Sequence, residues 1–234
     1  MSMKDYARHF PVVEVQSTFY EPPRDEVIGK WPSDNGLEYT MKVWQLVTHG
    51  SNSPTYRRMK RALGPSDEPG FFRNTPIVKE GWQRSLECAT VIGATGMLFQ
   101  CPASFTPEQP NVERMRNFFE NIERSSAQLL WEPRGPKWVA QHELALSLCR
   151  DLKLVYVVDP FVTSQEPRQT VYWRLHGISG PRHSYTDREL QQLLRMLLNA
   201  ETSSPAYVLF NNLPRIGDAK RFLRLLTKIR AMEM

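Results

Sequence analysis

Residues 128–134 read QLLWEPR: a short apolar run that passes directly into Glu132 and Arg134. The apolar part has strand composition, and the proline after it stops any further regular pairing. Six other runs follow the same plan: VVEVQSTFY (12–20), YTMKVW (39–44), GMLFQCP (96–102), LVYVVDP (154–160), VYWRLHG (171–177) and AYVLFNN (206–212). Helix-length amphipathic segments separate most of them. Strands alternating with helices predict a parallel sheet, and such sheets bind ligands at the carboxyl ends of their strands. Those ends carry Glu14, Gln16, Lys42, Gln100, Glu132, Arg134, Asp159, Arg174, His176, Asn211 and Asn212. So many charged ends point to a site rather than to simple strand termination.

The chain has 234 residues, close to the roughly 250 of a (β/α) barrel. The expected architecture is therefore an α/β, TIM-barrel-like barrel of parallel strands occupying 1–234 as one domain, with a long loop at 64–76. Hydrophobic residues make up 41% and charged residues 24%, which excludes a mostly disordered chain. A formal charge of +5 favours acidic partners. Part of it lies in two basic runs, Arg57, Arg58, Lys60, Arg61 and Lys220, Arg221, Arg224; the plain reading of these is solvated helix faces. Cys88, Cys101 and Cys149 are widely separated and match no zinc spacing. They fit a reducing compartment and read as small buried side chains. No apolar stretch is long enough to span a membrane and no signal-peptide core opens the chain, so a cytoplasmic location is the default expectation.

Periodicity predicts helices ending near residue 10 and over Asp25–Trp31, Thr55–Leu63, Val78–Ile92, Asn111–Arg124, Trp138–Asp151 and Gly217–Met232. A further helix opens at Thr186, where T-D-R-E matches a capping box. Segment 64–76, rich in Pro, Gly and Asp, reads as a surface loop, a lid or a tolerated insertion. Phe71 and Phe72 at its tip imply contact with the protein body or with a ligand.

Side chains two apart on a strand share a face. Glu14, Gln16 and Thr18 therefore point together, as do Lys42 and Trp44, Glu132 and Arg134, and Arg174 and His176. Charges buried under helices cost several kcal/mol each, about what removes a useful fraction of net stability. The economical arrangement has these charges lining one barrel mouth. His176, next to Gly177, suits a general acid or base; His49 is a weaker case, and His9, His142 and His183 read as surface residues. Asn211 and Asn212 face opposite ways, so at most one addresses the mouth unless the strand has already ended, and the sequence does not choose between them.

Taken together, the motifs resemble those of the YecE-like family (domain of unknown function family 72). VEVQSTFY resembles its E-V-N-S-T-F-Y segment, YTMKVWQLVTH its F-x-x-K followed by T-H, and FQCPASF its Q-x-P-x-x-F. WEPRGPKW resembles E-F-R-H-x-x-W, VYWRLHG resembles R-x-H-G, and VLFNN with Gly217 and Ala219 resembles F-N-N and G-x-A; Tyr185 falls near a family tyrosine. The resemblance implies a TIM-barrel-like fold and little about activity. The family's usual first strand, with its G-T-S-G-W segment, has no counterpart among the seven runs, so the expected barrel holds seven strands or is incomplete. Gln16, Pro133 and Gly135 stand where the family has Asn, Phe and His, so the site lacks a donor or two.

Three functions fit these residues. In the first, an enzyme acts on a phosphate-bearing or other anionic small molecule. Its catalytic groups are His176, Glu132 and Glu14, and its binding groups are Lys42, Arg134, Arg174, His49, Gln100 and Asn212. In the second, the protein binds nucleic acid or cleaves it as a phosphodiesterase, using the basic run at 57–61 with Phe71, Phe72 and Arg73. In the third, a divalent metal held among Glu14, Glu132, Asp159, His49 and His176 serves a hydrolase or isomerase, against which the neighbouring cations argue. No cofactor or metal ligand set is predicted.

Overall fold

A computed structural model describes residues 2–31, 36–163, 170–200, 202 and 205–232, with side chains through 229. The chain divides into two compact units, Met1–Leu154 and Val155–Met234. All seven expected strands form, each shorter than its apolar run.

The first unit opens with α1 (Met3–Ala7), capped by the Ser2 hydroxyl, and β1 (Val12–Val15). Next come α2 (Asp25–Ile28), β2 (Glu38–Lys42) and α3 (Gln45–Thr48). Then α4 (Pro76–Ile92), β3 (Gly96–Gln100), α5 (Gln109–Asn121) and β4 (Gln128–Glu132) alternate, followed by α6 (Pro136–Ala140) and α7 (His142–Asp151). Strands β1 to β4 pair in parallel in chain order. One face of this sheet is apolar. Met41, Met97 and Leu129 form one row and Phe99 stands beside Trp131 in the next, all buried. Phe99 packs on Trp82 of α4 (5.5 Å between ring centroids) and Phe119 of α5 (4.9 Å). Trp82, Leu86 and Ala89 are buried along α4, as their spacing predicts.

In the second unit, β5 (Val155–Tyr156) and a parallel bridge from Val158 to Trp173 lead to β6 (Tyr172–Leu175). α8 (Asp187–Leu198), β7 (Tyr207–Phe210) and α9 (Arg215–Met232) follow, with β7 parallel to β6. The capping box at Thr186 and Glu189 is present. Leu190, Leu193 and Leu194 of α8 are buried, as is Phe222 of α9, whose ring meets Phe210 at 5.9 Å.

Three expectations need correction. The helix over Thr55–Leu63 is only a 3-10 turn, Pro54–Arg58. The Glu21 carboxylate accepts the backbone N–H of Lys60 (2.6 Å) and Arg61 (3.4 Å), and Met59 is extended and buried. Residues 138–151 form two helices, because Gln141 (φ −113°, ψ 40°) leaves helical geometry. That break lets Trp138 lock against Trp131 at 5.0 Å while Ala145, Leu148 and Cys149 are buried from α7. The first strand ends at Val15 and Gln16 turns into a 3-10 helix, so Thr18 leaves the Glu14 face and its hydroxyl donates to the Lys42 carbonyl (2.7 Å).

Segment 64–76 is a loop whose tip meets the protein body, one of the two contacts that Phe71 and Phe72 imply. Gly70, Phe71 and Phe72 donate their N–H groups to the carbonyls of Leu46, Thr48 and Val47 (2.7, 3.3 and 3.0 Å). Those carbonyls close a four-residue helix and would otherwise lack partners. The Phe72 ring is buried among Phe105, Phe118 and Phe119, at 5.2–5.3 Å. Both phenylalanines have φ of 54°, a left-handed conformation costing about 1–3 kcal/mol each at a non-glycine residue. Burial of Phe72, worth about 1.5–3 kcal/mol, and the three hydrogen bonds offset that strain.

Candidate functional site

The strand register places the polar residues of the first unit. Glu14 pairs with Thr40, Thr40 with Gly96 and Gly96 with Gln128; Lys42 pairs with Leu98 and Leu98 with Leu130; Gln100 pairs with Glu132. Paired residues in a sheet share a face, as do residues two apart. Glu14, Lys42, Gln100 and Glu132 therefore stand on one face, opposite the apolar rows. Lys42, though buried, donates from Nζ to Gln100 Oε1 (2.8 Å) and lies 4.0 Å above the centre of the Phe19 ring. Arg134 Nη2 donates to Glu132 Oε1 (3.1 Å); the carboxylate is buried while the guanidinium is partly exposed. Gln16 donates to Glu14 at the more open end of the face.

His49 ends α3 with only 4% of its surface exposed. Its ring packs edge-on against Phe19 (4.8 Å), its Nδ1 meets the Thr48 hydroxyl (2.8 Å), and its carbonyl accepts from the Tyr56 hydroxyl (2.7 Å). Burial, then the positive charges of Lys42 and Arg134, push this imidazole down to about 3. The folded protein thus holds His49 neutral where the unfolded chain, at about 6.5, is already taking up a proton. The unfolded state binds the extra proton between those values, so stability falls as pH drops through that window. The slope from this residue approaches about 1.4 kcal/mol per pH unit. Urea unfolding at pH 7, 5.5 and 4.5 should show a shallower acid loss for His49→Asn than for the natural chain; equal slopes would contradict the assignment.

The second unit carries its own cluster. Arg174 is fully buried, and its backbone N–H donates to the Val158 carbonyl (2.9 Å). Asp159 accepts the backbone N–H of Phe161 (3.1 Å) and of His176 (2.9 Å), so it shapes the turn and fixes the strand end carrying His176. The amide of Asn211 lies 3.4 Å from His176 Nδ1. Asn212 faces elsewhere: its Nδ2 donates to Asp218 Oδ2 (2.7 Å) and to the His183 carbonyl (2.8 Å). Tyr185, its hydroxyl pushed above the ordinary phenol range by burial and then by Asp159, accepts the Gly177 N–H (2.9 Å).

Glu14, Lys42, Gln100 and Glu132 thus share one sheet face, with Lys42–Gln100 and Glu132–Arg134 in direct contact and His49 within the field of both cations. In the second unit His176 meets Asn211, while Asn212 is bound into the Asp218 cluster. Sequence reasoning passed over Phe19, Asp218 and His183. Phe19 sits beyond the end of strand parity. Asp218 stands alone in the first turn of α9, where the ordinary reading is a dipole partner. His183 is no ordinary surface residue, since its ring bonds Ser179 and Glu189. The three cysteines are buried and unbridged, as expected. The basic run at 57–61 is partly engaged: Arg58 stacks on Tyr20 (3.7 Å) and Arg61 pairs with Glu80. Among the described residues no three His, Cys, Asp or Glu side chains stand close enough to hold a metal ion, and no helix is long and apolar enough to cross a membrane.

Parallel strands with helical crossovers and polar carboxyl ends define a TIM-barrel-like α/β protein. The model of the family described as "Protein of unknown function DUF72" matches residues 2–233, and the chain belongs to that family, which is also the YecE-like family. No curated protein matches the sequence. Among solved structures, a DUF72 family protein from Enterococcus faecalis V583 superposes with a TM-score of 0.69 at 18% identity, covering 97% of this chain and 87% of that one. A DUF72 family protein from Thermotoga maritima MSB8 gives 0.67 at 22% identity, over 93% and 85%. A xylose isomerase domain containing protein from Salmonella typhimurium LT2 gives 0.59 at 14% identity, over 100% and 93%. At such identities the likeness speaks for the fold alone.

Proposed function

We propose that the protein is an enzyme acting on a phosphate-bearing or otherwise anionic substrate by general acid/base chemistry. The observation that carries this reading is the pair of cations, Lys42 and Arg134, whose charge reaches the buried His49 ring at the strand ends of the first unit. Charged donors held partly out of water are where an anion gains most. Lys42 supplies a compact charge and Arg134 a planar fork. Gln100 and neutral His49 supply uncharged polar groups, and Glu132 and Glu14 are the carboxylates placed to move protons. The second unit has its own cation, Arg174, and its own imidazole, His176, the proposed general acid or base. Asn211, beside His176, takes the contact role that sequence reading assigned to Asn212.

Titration calorimetry with inorganic phosphate, followed by turnover assays on phosphomonoesters and phosphodiesters, tests this reading. Lys42→Met should weaken phosphate binding about 10- to 100-fold, the range of a lost charge-assisted hydrogen bond. His176→Ala should abolish turnover while leaving Tm unchanged. Failure of the natural protein to bind phosphate, or full turnover by His176→Ala, would sink the proposal. The nucleic-acid reading has less support, because the buried Phe72 cannot stack on a base; salt-dependent binding to DNA or RNA would revive it.

A further inference from the structure

A second constellation lies in the loop between β6 and α8. Ser179 Oγ is 2.9 Å from His183 Nδ1, and His183 Nε2 is 3.1 Å from Glu189 Oε2. The three side chains form one hydrogen-bonded chain of hydroxyl, imidazole and carboxylate. Their exposure differs in a telling way. Ser179 is open to solvent, whereas the His183 and Glu189 side chains retain only 15% and 23% of their surface.

The carboxylate at one end of this chain favours one arrangement of its hydrogen bonds. Desolvation pulls the Glu189 carboxyl upward, but hydrogen bonds from the Thr186 N–H (2.7 Å), the Thr186 hydroxyl (2.9 Å) and His183 outweigh it and leave it below its usual range. A carboxylate only accepts, so the ring donates from Nε2. In the tautomer that donates from Nε2, Nδ1 bears a lone pair, and the Ser179 hydroxyl is the donor that faces it. The ring is braced edge-on against Tyr185 (5.0 Å between centroids). Gly177 and Gly180, at φ of 90° and 104°, fold the turn tightly; a Cβ on Gly177 would lie 2.2 Å from the Gly180 carbonyl oxygen and 2.9 Å from His183 Cβ. Backbone at both ends thus holds Ser179 over the imidazole.

We infer that Ser179, His183 and Glu189 form a nucleophile, general base and positioning carboxylate that hydrolyse carboxylic esters, independently of the anion site. Such constellations are recognised by geometry and role rather than by order in the chain. Ser179 Oγ attacks the ester carbonyl carbon as its proton passes to His183 Nδ1. Collapse of the tetrahedral adduct breaks the carbon–oxygen bond, and the departing alkoxide takes that proton. Water, deprotonated by the same nitrogen, attacks the acyl-serine; the carboxylic acid leaves and Ser179 Oγ recovers its proton.

The test is labelling of the full chain with a fluorophosphonate probe, mapped by peptide mass spectrometry, alongside hydrolysis of p-nitrophenyl acetate. The expected result is a label on Ser179 that is absent in Ser179→Ala. His183→Ala should label about 100-fold more slowly, the usual size of a general-base contribution, and added imidazole should restore part of the rate. Glu189→Gln keeps a side chain that completes the helix cap, so Tm should stay unchanged while labelling slows about 10-fold. No label on Ser179, a label on some other serine, or an undiminished rate in His183→Ala would each overturn the inference.

Discussion

Replacing Asp218 by alanine should destabilise the second unit by about 3–5 kcal/mol, the cost of stripping one partner from a buried charged cluster. Asp218 is 1% exposed. Its Oδ2 accepts from Asn212 Nδ2 (2.7 Å) and the Tyr185 N–H (3.2 Å). Its Oδ1 accepts from the Ser184 hydroxyl (3.2 Å) and Arg221 Nη1 (3.3 Å). Alanine would leave these donors facing a void that returns none of their hydrogen bonds. Arg221 also donates to the Tyr185 carbonyl (2.6 Å), so the chain from 183 to 185 is tied to this carboxylate from several sides. Chemical denaturation followed by circular dichroism measures the loss. Asp187→Ala is the control, because that carboxylate pairs with the same arginine from a largely exposed position and should cost less than about 1 kcal/mol. Equal effects from the two substitutions would show that burial of Asp218 carries no weight.

Gly70→Ala should be nearly as damaging to the first unit. At φ of 82°, Gly70 lies so close to α3 that a Cβ would stand 2.2 Å from both the carbonyl carbon and oxygen of His49 and 2.5 Å from the Gly50 nitrogen. These are backbone atoms and cannot rotate away. Relief requires the 70–72 segment to lift, which sacrifices three hydrogen bonds and the packing of Phe72. Each hydrogen bond is worth about 0.5–1.5 kcal/mol and the phenylalanine about 1.5–3 kcal/mol, so a loss of about 4 kcal/mol is expected. Calorimetry should show Tm falling by on the order of 10 °C. The shift also reaches the candidate site, since His49 is the residue pressed. Phosphate affinity should weaken in Gly70→Ala even though the substituted residue has no polar side chain. Unchanged Tm and affinity would mean that the segment adapts freely.

The fold was legible because strand composition and helix periodicity are local. All seven apolar runs became strands, and α4, α5, α8 and α9 lie where spacing places them. Side-chain parity also survived wherever the strand did: Glu14, Lys42, Gln100 and Glu132 share a face because pleating alternates regardless of partner. Parity failed at Thr18, where the chain had already turned into a 3-10 helix. It could not choose between Asn211 and Asn212, because both lie beyond the last paired residue of β7.

The sequence alone determined the α/β class, the strand positions and the set of charged groups at the strand ends, all properties of a residue and its near neighbours. Tertiary structure decided what depends on distant segments meeting. It closed the end of α3 with Gly70, Phe71 and Phe72, and it set Lys42 over Phe19. It buried Asp218 under Asn212 and Tyr185, and it joined Ser179 to Glu189 through His183. The physical reason is common to all four. A hydrogen bond or ring contact is specified by distance and direction in space, which residue spacing along the chain does not encode once the chain leaves regular geometry.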